Sequence, residues 1–285
     1  MTLLSRGARR IRSELLRGAA AAVCAALGLL RGSRWSSFVA ARLEGLSVEI
    51  DDRGTLARFT VPNPLTFWRA ETLVSKEPET IEWIRSMSEG EVLFDVGANV
   101  GLYSIYAGKR GVRVYAFEPE SANFALLNRN IQANGLSGCV EAHCLAISDR
   151  ACFDRLRLSA TVPGSALHSF GVNKDPCGAP FAPVYEQGCL ALSLDDLVYT
   201  WGFPCPAYLK IDVDGLESKV LAGARRMLAD PRLKSVLFEM NEDMPEDQEA
   251  MGWTRAEGFV RSGQGEEVRD GRLGMRFRNH VLRRA

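Results

Sequence analysis

Between Val92 and Gly101 the chain runs through Leu93 and Phe94 to Asp95, then turns through Gly97, Asn99 and Gly101 before an apolar stretch from Leu102. A buried strand feeding a tight turn and a helix is the opening unit of a doubly wound α/β nucleotide site. Gly97 and Gly101 let the backbone approach a ligand and adopt positive φ, which a side chain would resist. The spacing is D-x-G-x-N-x-G, so the third glycine of the dinucleotide fingerprint is missing. That favours S-adenosylmethionine, which has no phosphate to seat on a bare helix N-terminus, over a pyrophosphate ligand. Asp95, Gly97, Asn99 and Gly101 are therefore cofactor-binding candidates.

Val112–Phe117 reads as a second strand and ends in Glu118-Pro119. An acid there, about twenty residues after the glycine turn, is where a ribose is held by its two hydroxyls. A carboxylate accepts both hydrogens at once. Glu118 could instead cap the helix that starts near Ser121. Ser148-Asp149, after the third strand, could face the adenine, although Asp149 also suits the start of a turn; Ala146 and Asp149 join the cofactor-binding candidates.

For proton transfer, His168 has the side chain best tuned to neutral pH. It lies in the glycine-bearing loop Pro163–Ser169, which could close over an acceptor, or it is a solvated loop histidine. Asp212 follows a strand Tyr208–Ile211, where open α/β sheets place ligand-contacting residues. It could act as base, orient the acceptor, or join Asp214 and Glu217 around a divalent cation. Glu217 reads equally as a first-turn acid favoured by the helix dipole. Glu239 ends the strand Ser235–Met240 and, with Asn241, could bond a sugar hydroxyl. His168, Asp212 and Glu239 are the catalytic candidates. His143 and His280 read as structural, and no metal site is assigned.

The elements that must position these residues alternate strand and helix from Val92 onward. The helix Ser121–Ala133 turns Phe124, Leu127 and Ile131 inward and stops at Gly135. Val140–Ile147 reads as the third strand and Met275–Leu282 as the last. Residues 151–189 interrupt the rhythm with prolines and glycines, a long excursion of the kind that is functional or disordered. Upstream, Leu46–Ile50 and Leu56–Val61 suggest a hairpin around Asp51–Gly54, broken by Pro62-Asn63-Pro64. A helix opens at Lys76–Thr80 with Ile81, Ile84 and Met87 on one side. The expected organisation is an extension over 1–43, a cap over 44–90 and an S-adenosylmethionine-binding domain over 91–285.

The 285 residues carry zero formal net charge, unevenly distributed. Residues 1–43 hold eight arginines against Glu14 alone, leaving a mildly acidic body. That argues against a nucleic-acid partner, which would need basic charge on the domain itself. Ile11, Leu15, Ala19, Val23 and Leu27 give the leader one apolar helical face, and its uncharged run Gly18–Leu30 is short for a bilayer. The leader suits a signal or transit peptide, peripheral contact with an anionic membrane, or a frayed extension. The seven cysteines contain no C-x-x-C pair and are odd in number, which suggests reduced thiols and a cytoplasmic setting.

Several runs together resemble the FkbM-type S-adenosylmethionine-dependent methyltransferases. They are Phe94–Gly101, Tyr115–Pro119, Asn128–Ile131, Ala146–Asp149, Lys210–Glu217 and Asn279–Arg284, in that order over residues 60–284. The resemblance implies a Rossmann-like class I methyltransferase, α/β, with a doubly wound seven-stranded sheet whose last strand is antiparallel. It also implies O-methylation of a sugar, glycan or natural-product hydroxyl. Asp214 stands where the family often has glutamate, and Asn241–Glu257 is short on the acceptor side. The competing readings are a nicotinamide-dependent oxidoreductase, disfavoured by the missing glycine, and a non-catalytic cofactor-binding scaffold, which would need neither Asp212 nor the His168 loop. Oligomeric state is not legible.

Overall fold

The computed structural model describes residues 44–175, 179–180, 182–269 and 276–285, with positions 25, 28, 37, 39, 41 and 42 before them. Met1–Leu46 and Ser47–Ala285 are separate units. In the first unit the described positions are helical up to Glu44. Most of the basic leader, and with it the amphipathic face, lies outside the described residues. Among the described residues, no helix is long and apolar enough to cross a membrane.

The second unit is built on a mixed sheet. Its central strands are β3 (Val92–Val96), β4 (Arg113–Phe117), β5 (Val140–His143), β10 (Tyr208–Ile211) and β11 (Ser235–Asn241). The order is β12-β14-β11-β10-β3-β4-β5, where β12 is Phe259–Gln264 and β14 is Arg276–Arg284. Among the described residues, only β14 runs against its neighbours, pairing antiparallel with both β11 and β12. A short β13 (Val268–Arg269) adds to β14. This is a Rossmann-like α/β sheet. The strands are near-continuous apolar runs because both faces are covered, as parallel sheets require. On one face Phe94, Val96, Phe117, Ile211 and Phe238 pack with Val220, Leu221, Met227 and Leu228. On the other, Leu93, Val114 and Leu237 pack with Ile105, Leu127, Ile131 and the upstream segment.

The upstream segment from Ser47 is compact with the sheet. Hairpin β1 (Ser47–Asp52) and β2 (Thr55–Thr60) lies over α3 (Leu102–Lys109) and α4 (Ser121–Ala133). Two asparagines of α4 and its end fasten it, Asn130 Oδ1 accepting from Thr60 N–H at 2.8 Å and Asn134 Oδ1 from Arg58 N–H at 2.9 Å. Asn130 also donates to Val100 O at 2.8 Å, so one buried amide ties the hairpin to the glycine turn. The Pro62-Asn63-Pro64 break also begins a helix, α1 (Pro64–Glu71). Asn63 caps it in a capping box with Thr66, and Pro64 takes the first turn, where a missing N–H costs nothing. Helix α2 (Pro78–Arg85) follows and buries Ile81, Trp83 and Ile84.

One expectation is corrected beyond β4. The third strand is not continuous over Val140–Ile147: β5 ends at His143, the chain turns, and β6 (Ala146–Ile147) joins a second sheet. The excursion 151–189 supplies that sheet, of order β6-β9-β7-β8, with β7 (Cys152–Leu158), β8 (Ser169–Phe170) and β9 (Tyr185–Leu192). It buries Leu156, Leu158, Phe170, Cys189 and Ala191 as its own small core. The remaining helices are α5 (Leu194–Tyr199), α6 (Glu217–Ala222), α7 (Arg225–Ala229) and α8 (Pro245–Ala256).

The chain steps from β3 outward to β5, then returns to β10 on the other side of β3. The crevice at that switch point, outside the carboxyl ends of the strands, is where such sheets bind ligands. The ends of β3 and β10 meet closely there. Gly97 has φ of 80°, and a Cβ on it would lie 1.8 Å from the carbonyl oxygen of Asp212. Gly97→Ala therefore combines backbone strain with a clash that neither strand can relieve, and should cost about 3 kcal/mol or more in urea unfolding. Gly135→Ala, at φ of 68° with open space around it, should cost only about 1–2 kcal/mol. Equal losses would show that the Gly97 contact does not constrain the fold.

Candidate functional site

The crevice is a cleft of about 600 Å³ reaching from the glycine turn to the second sheet. Gly97, Asn99, Glu118, Ala146, His168 and Asp212 line it, with Asp214, Ser165 and an apolar wall that includes Phe117, Leu145, Ile147 and Phe170. Six of the ten residues anticipated from sequence thus come together. The other four do not line it.

Asp95 lies under the turn, fully buried, accepting from Ser104 Oγ at 2.5 Å with Lys210 Nζ at 3.7 Å. Burial raises its pKa, opposed by Lys210. It supports the strand end and does not line the cleft. Gly101 abuts Leu127, whose Cδ1 would sit 2.4 Å from an added Cβ, so this glycine serves helix packing. Asp149 is turned outward, paired with Arg150 at 2.9 Å. Glu239 does not line the cleft but is close enough to Asp212 and Asp214 to feel both charges.

Glu118 does not cap α4. Glu120 does, its two carboxylate oxygens accepting from Ala122 N–H at 2.9 Å and Asn123 N–H at 2.7 Å. Glu118 instead bridges two loops: Oε2 accepts from Asn99 N–H at 2.8 Å and Oε1 from Glu120 N–H at 2.9 Å. Burial pushes it up to about 7, against the pull of those amides. The Asn123 side chain bonds it as well, and a carboxylate, with about four lone-pair sites, keeps capacity for a ligand hydroxyl. A ligand hydroxyl there would restore the ionised form.

Beyond the turn sits a buried cation. Lys210, 1% exposed, lies 2.9 Å from Asp212 Oδ2. Burial alone would lower its pKa; the carboxylates of Asp212 and Asp95 overcome that and raise it. The same pair works in reverse on Asp212, where burial is outweighed by the ammonium and the carboxyl falls below its ordinary range. Asp214 differs. Burial, then repulsion from Asp212, lifts it to about 6. Glu239 is lifted further, to about 8, by burial and then by Asp212 and Asp214. Glu217 is committed locally, accepting from Val213 N–H at 2.8 Å and Gly215 N–H at 2.9 Å, and so clamps the loop that carries Asp214. Among the described residues, no group of three or more His, Cys, Asp or Glu side chains is placed to hold a metal ion.

The loop Pro163–Leu167 crosses the cleft as a strap already fastened. Asn63 Nδ2 donates to Pro163 O at 2.9 Å, Arg69 Nε to Gly164 O at 2.6 Å, and Asn99 Nδ2 to Ser165 O at 2.7 Å. Asn123 grips it twice, accepting from Gly164 N–H at 2.7 Å and donating to Ser165 O at 3.1 Å. Asp214 Oδ2 accepts from Leu167 N–H at 2.6 Å. His168 follows, and its Nδ1 accepts from Ser159 N–H at 3.2 Å. The neutral ring therefore carries its proton on Nε2, which is buried without a partner. Burial lowers its pKa. In that tautomer the free ring nitrogen is a donor and not the acceptor that a base needs.

Sheet order, switch-point cleft and an acid after the second strand define a Rossmann-like methyltransferase. The model of the methyltransferase FkbM domain matches residues 95–261, and the chain belongs to that family. It is 31% identical over 194 residues to the 31-O-demethyl-FK506 methyltransferase FkbM of Streptomyces tacrolimicus, covering 60% of this chain and 73% of that protein. It is 27% identical over 189 residues to the hexuronic acid methyltransferase AglP of Haloferax volcanii, covering 61% and 67%. A crystal structure of methyltransferase FkbM from Methylobacillus flagellatus KT overlays with a TM-score of 0.44 at 15% identity, covering 68% of this chain and 44% of that one. The chain thus spans less than half the length of that solved chain.

Asn123 is 0% exposed, and its removal strands the Gly164 N–H donor of the strap, while Ser165 O keeps its bond from Asn99. Asn123→Ala should cost about 1–3 kcal/mol. It should speed amide hydrogen exchange at Gly164 by tenfold or more while the amides of β3 and β4 keep their protection. Exchange at Gly164 unchanged in the variant would mean the strap is held by other contacts.

Proposed function

We propose that the chain transfers the sulfonium methyl of S-adenosylmethionine to a hydroxyl of a sugar, glycan or other natural product. The observation that carries the donor reading is Glu118, a buried carboxylate that lines the cleft between the glycine turn and an apolar wall. The wall suits a base and the carboxylate suits a ribose. The family's methyl transfer then needs an acceptor oxygen in line with the sulfur–carbon bond. Positioning supplies much of the rate in such displacements.

Membership of the family and likeness to proteins named for 31-O-demethyl-FK506 and for a hexuronic acid support a hydroxyl-bearing acceptor. We assign the base to Asp214, ahead of His168, Asp212 and Glu239. Asp212 is held ionised by Lys210 and is a weak base; Glu239 is largely protonated at neutral pH. Asp214 lines the cleft, and its pKa of about 6 lies near the working pH, where proton transfer is most effective. Its φ of 56° is strained for a non-glycine residue, as at many functional positions. As the acceptor oxygen bonds to the methyl carbon, the sulfur keeps the electron pair of the breaking bond and the hydroxyl proton passes to the Asp214 carboxylate. His168 Nε2–H is left to donate a hydrogen bond.

Glu118→Gln should weaken S-adenosylhomocysteine binding tenfold or more by calorimetry, since bonds to a charged group contribute about 1.5–3 kcal/mol. Unchanged affinity in a folded variant would remove Glu118 from the donor site. With labelled donor and a panel of sugar, sugar-acid and polyketide alcohols, the label should enter a base-stable methyl ether; a base-labile ester would contradict hydroxyl transfer. The rate should rise with pH through an inflection near 6, because only the ionised carboxylate takes the proton. Asp214→Asn should lower turnover about a hundredfold or more and abolish that inflection. His168→Ala should keep it. Loss of the inflection in His168→Ala instead would return the base role to the histidine.

A further inference from the structure

Beside the first cleft lies a second cavity of about 770 Å³, a volume that suits a sugar-sized ligand. Asp214 and Leu216 line both. The loop that carries them is fixed by Glu217, which holds the amides of Val213 and Gly215. Lys174, a few residues past β8, and Lys219 on α6 also line the second cavity. So do Met244 and Asp247 at the start of α8, both from the stretch 241–257 that reads as short on the acceptor side.

The carboxylates of this cavity are engaged. Asp175 accepts from Ala179 N–H at 2.9 Å, Asp247 from Asn241 N–H at 2.8 Å and Asp214 from Leu167 N–H at 2.6 Å. Glu246 is exposed in the first turn of α8, where the helix dipole favours an acid. Its cations are not engaged. Among the described residues, neither the Lys174 nor the Lys219 ammonium makes a hydrogen bond or an ion pair. Elsewhere around the site lysines do pair, Lys76 with Glu77 at 2.8 Å and Lys210 with Asp212 at 2.9 Å. The cavity therefore presents two uncommitted cations next to Asp214.

We infer that this cavity receives the methyl acceptor, and that the acceptor is a polyhydroxyl compound bearing an anionic group, a carboxylate or a phosphate ester, seated on Lys219 and Lys174. The inference rests on the methyl-transfer reading above and names its substrate class. Because Asp214 lines both cavities, an acceptor hydroxyl meets it from this side while the donor occupies the other. An ammonium covered by a neutral ligand loses water without gaining a partner. An anionic group replaces that water with a charge-assisted bond. Lys219 is half-buried and carries most of this recognition; Lys174 is exposed, so solvent and salt screen its share. The Ser218 hydroxyl and the second carboxylate oxygen of Asp247 suit the hydroxyls of the same acceptor.

The test uses methyl glucoside, its 6-phosphate and the corresponding methyl glucuronide, which share one ring and differ only at C6, with the galacto and manno series beside them. With labelled donor and the full chain, at least one anionic member should be methylated with a kcat/KM tenfold or more above its neutral parent. Which member it is distinguishes a carboxylate from a phosphate. A preference below tenfold, or no label in any anionic member, overturns the inference. Lys219→Met should raise KM for the preferred anionic acceptor at least tenfold, and Lys219→Arg should bring it back to within threefold of the wild type. In both variants S-adenosylhomocysteine affinity by calorimetry should stay within twofold. An unchanged KM, or an equal loss of S-adenosylhomocysteine affinity, would overturn the role given to Lys219. A wild-type chain that does not bind S-adenosylhomocysteine would defeat the methyl-transfer reading and this inference with it. One that binds it and labels only neutral sugars would defeat this inference alone.

Discussion

The approach of Gly97 to the carbonyl of Asp212 is the constraint on which the rest of the site depends. Two parallel strands, β3 and β10, end side by side at the switch point, joined by Asp212 N–H to Val96 O at 3.0 Å. The turn after β3 must then pass within van der Waals range of the backbone after β10. Only a residue without a Cβ fits there, and only at positive φ. Once that contact forms, Asn99 is aimed at Glu118 and the strap, and Asp212 is brought over Lys210. The cleft lies against this narrowing.

A second feature follows from the first. Lys210 is buried in the strand beneath the narrowing and would be costly alone, since an unpaired buried charge typically costs several kcal/mol. Asp95 and Asp212, one from each strand end, neutralise it. The carboxylate thus held ionised raises its neighbours in turn, which spreads Asp212, Asp214 and Glu239 across the pH scale although all three sit close together. Environments that push titratable groups apart are how one site holds both a proton acceptor and a proton donor at the same pH.

The core sheet was legible because β3, β4, β10 and β11 are short apolar runs bounded by glycine, proline or acid, and parallel strands buried on both faces must look that way. The glycine turn and Glu118 were legible for the same local reason. Elements stabilised by partners distant in sequence were not. Strand β12 buries little beyond Phe259, so its alternation is faint. Helix α1 begins at a Pro-Asn-Pro that also ends a strand, and the breaking signal masked the asparagine cap. The alternation D-R-L-R-L in β7 was present but overshadowed by the prolines and glycines that follow it. Within the site, Arg69 and Asn123 carry no motif, since both act on backbone 41 or more residues away. Asp214 differs from its neighbour Asp212 only through Lys210, a relation that spacing alone does not express.

The proposed donor site fixes one orientation, with the nucleoside against the second sheet and the ribose on Glu118. A crystal structure of the full chain with S-adenosylhomocysteine tests this directly. Both ribose hydroxyls should lie within hydrogen-bond distance of the Glu118 carboxylate, with the adenine near Ala146 and Ile147 and the sulfur beside Gly97. A ligand bound in the reverse sense, or with its ribose hydroxyls turned away from Glu118, would contradict it.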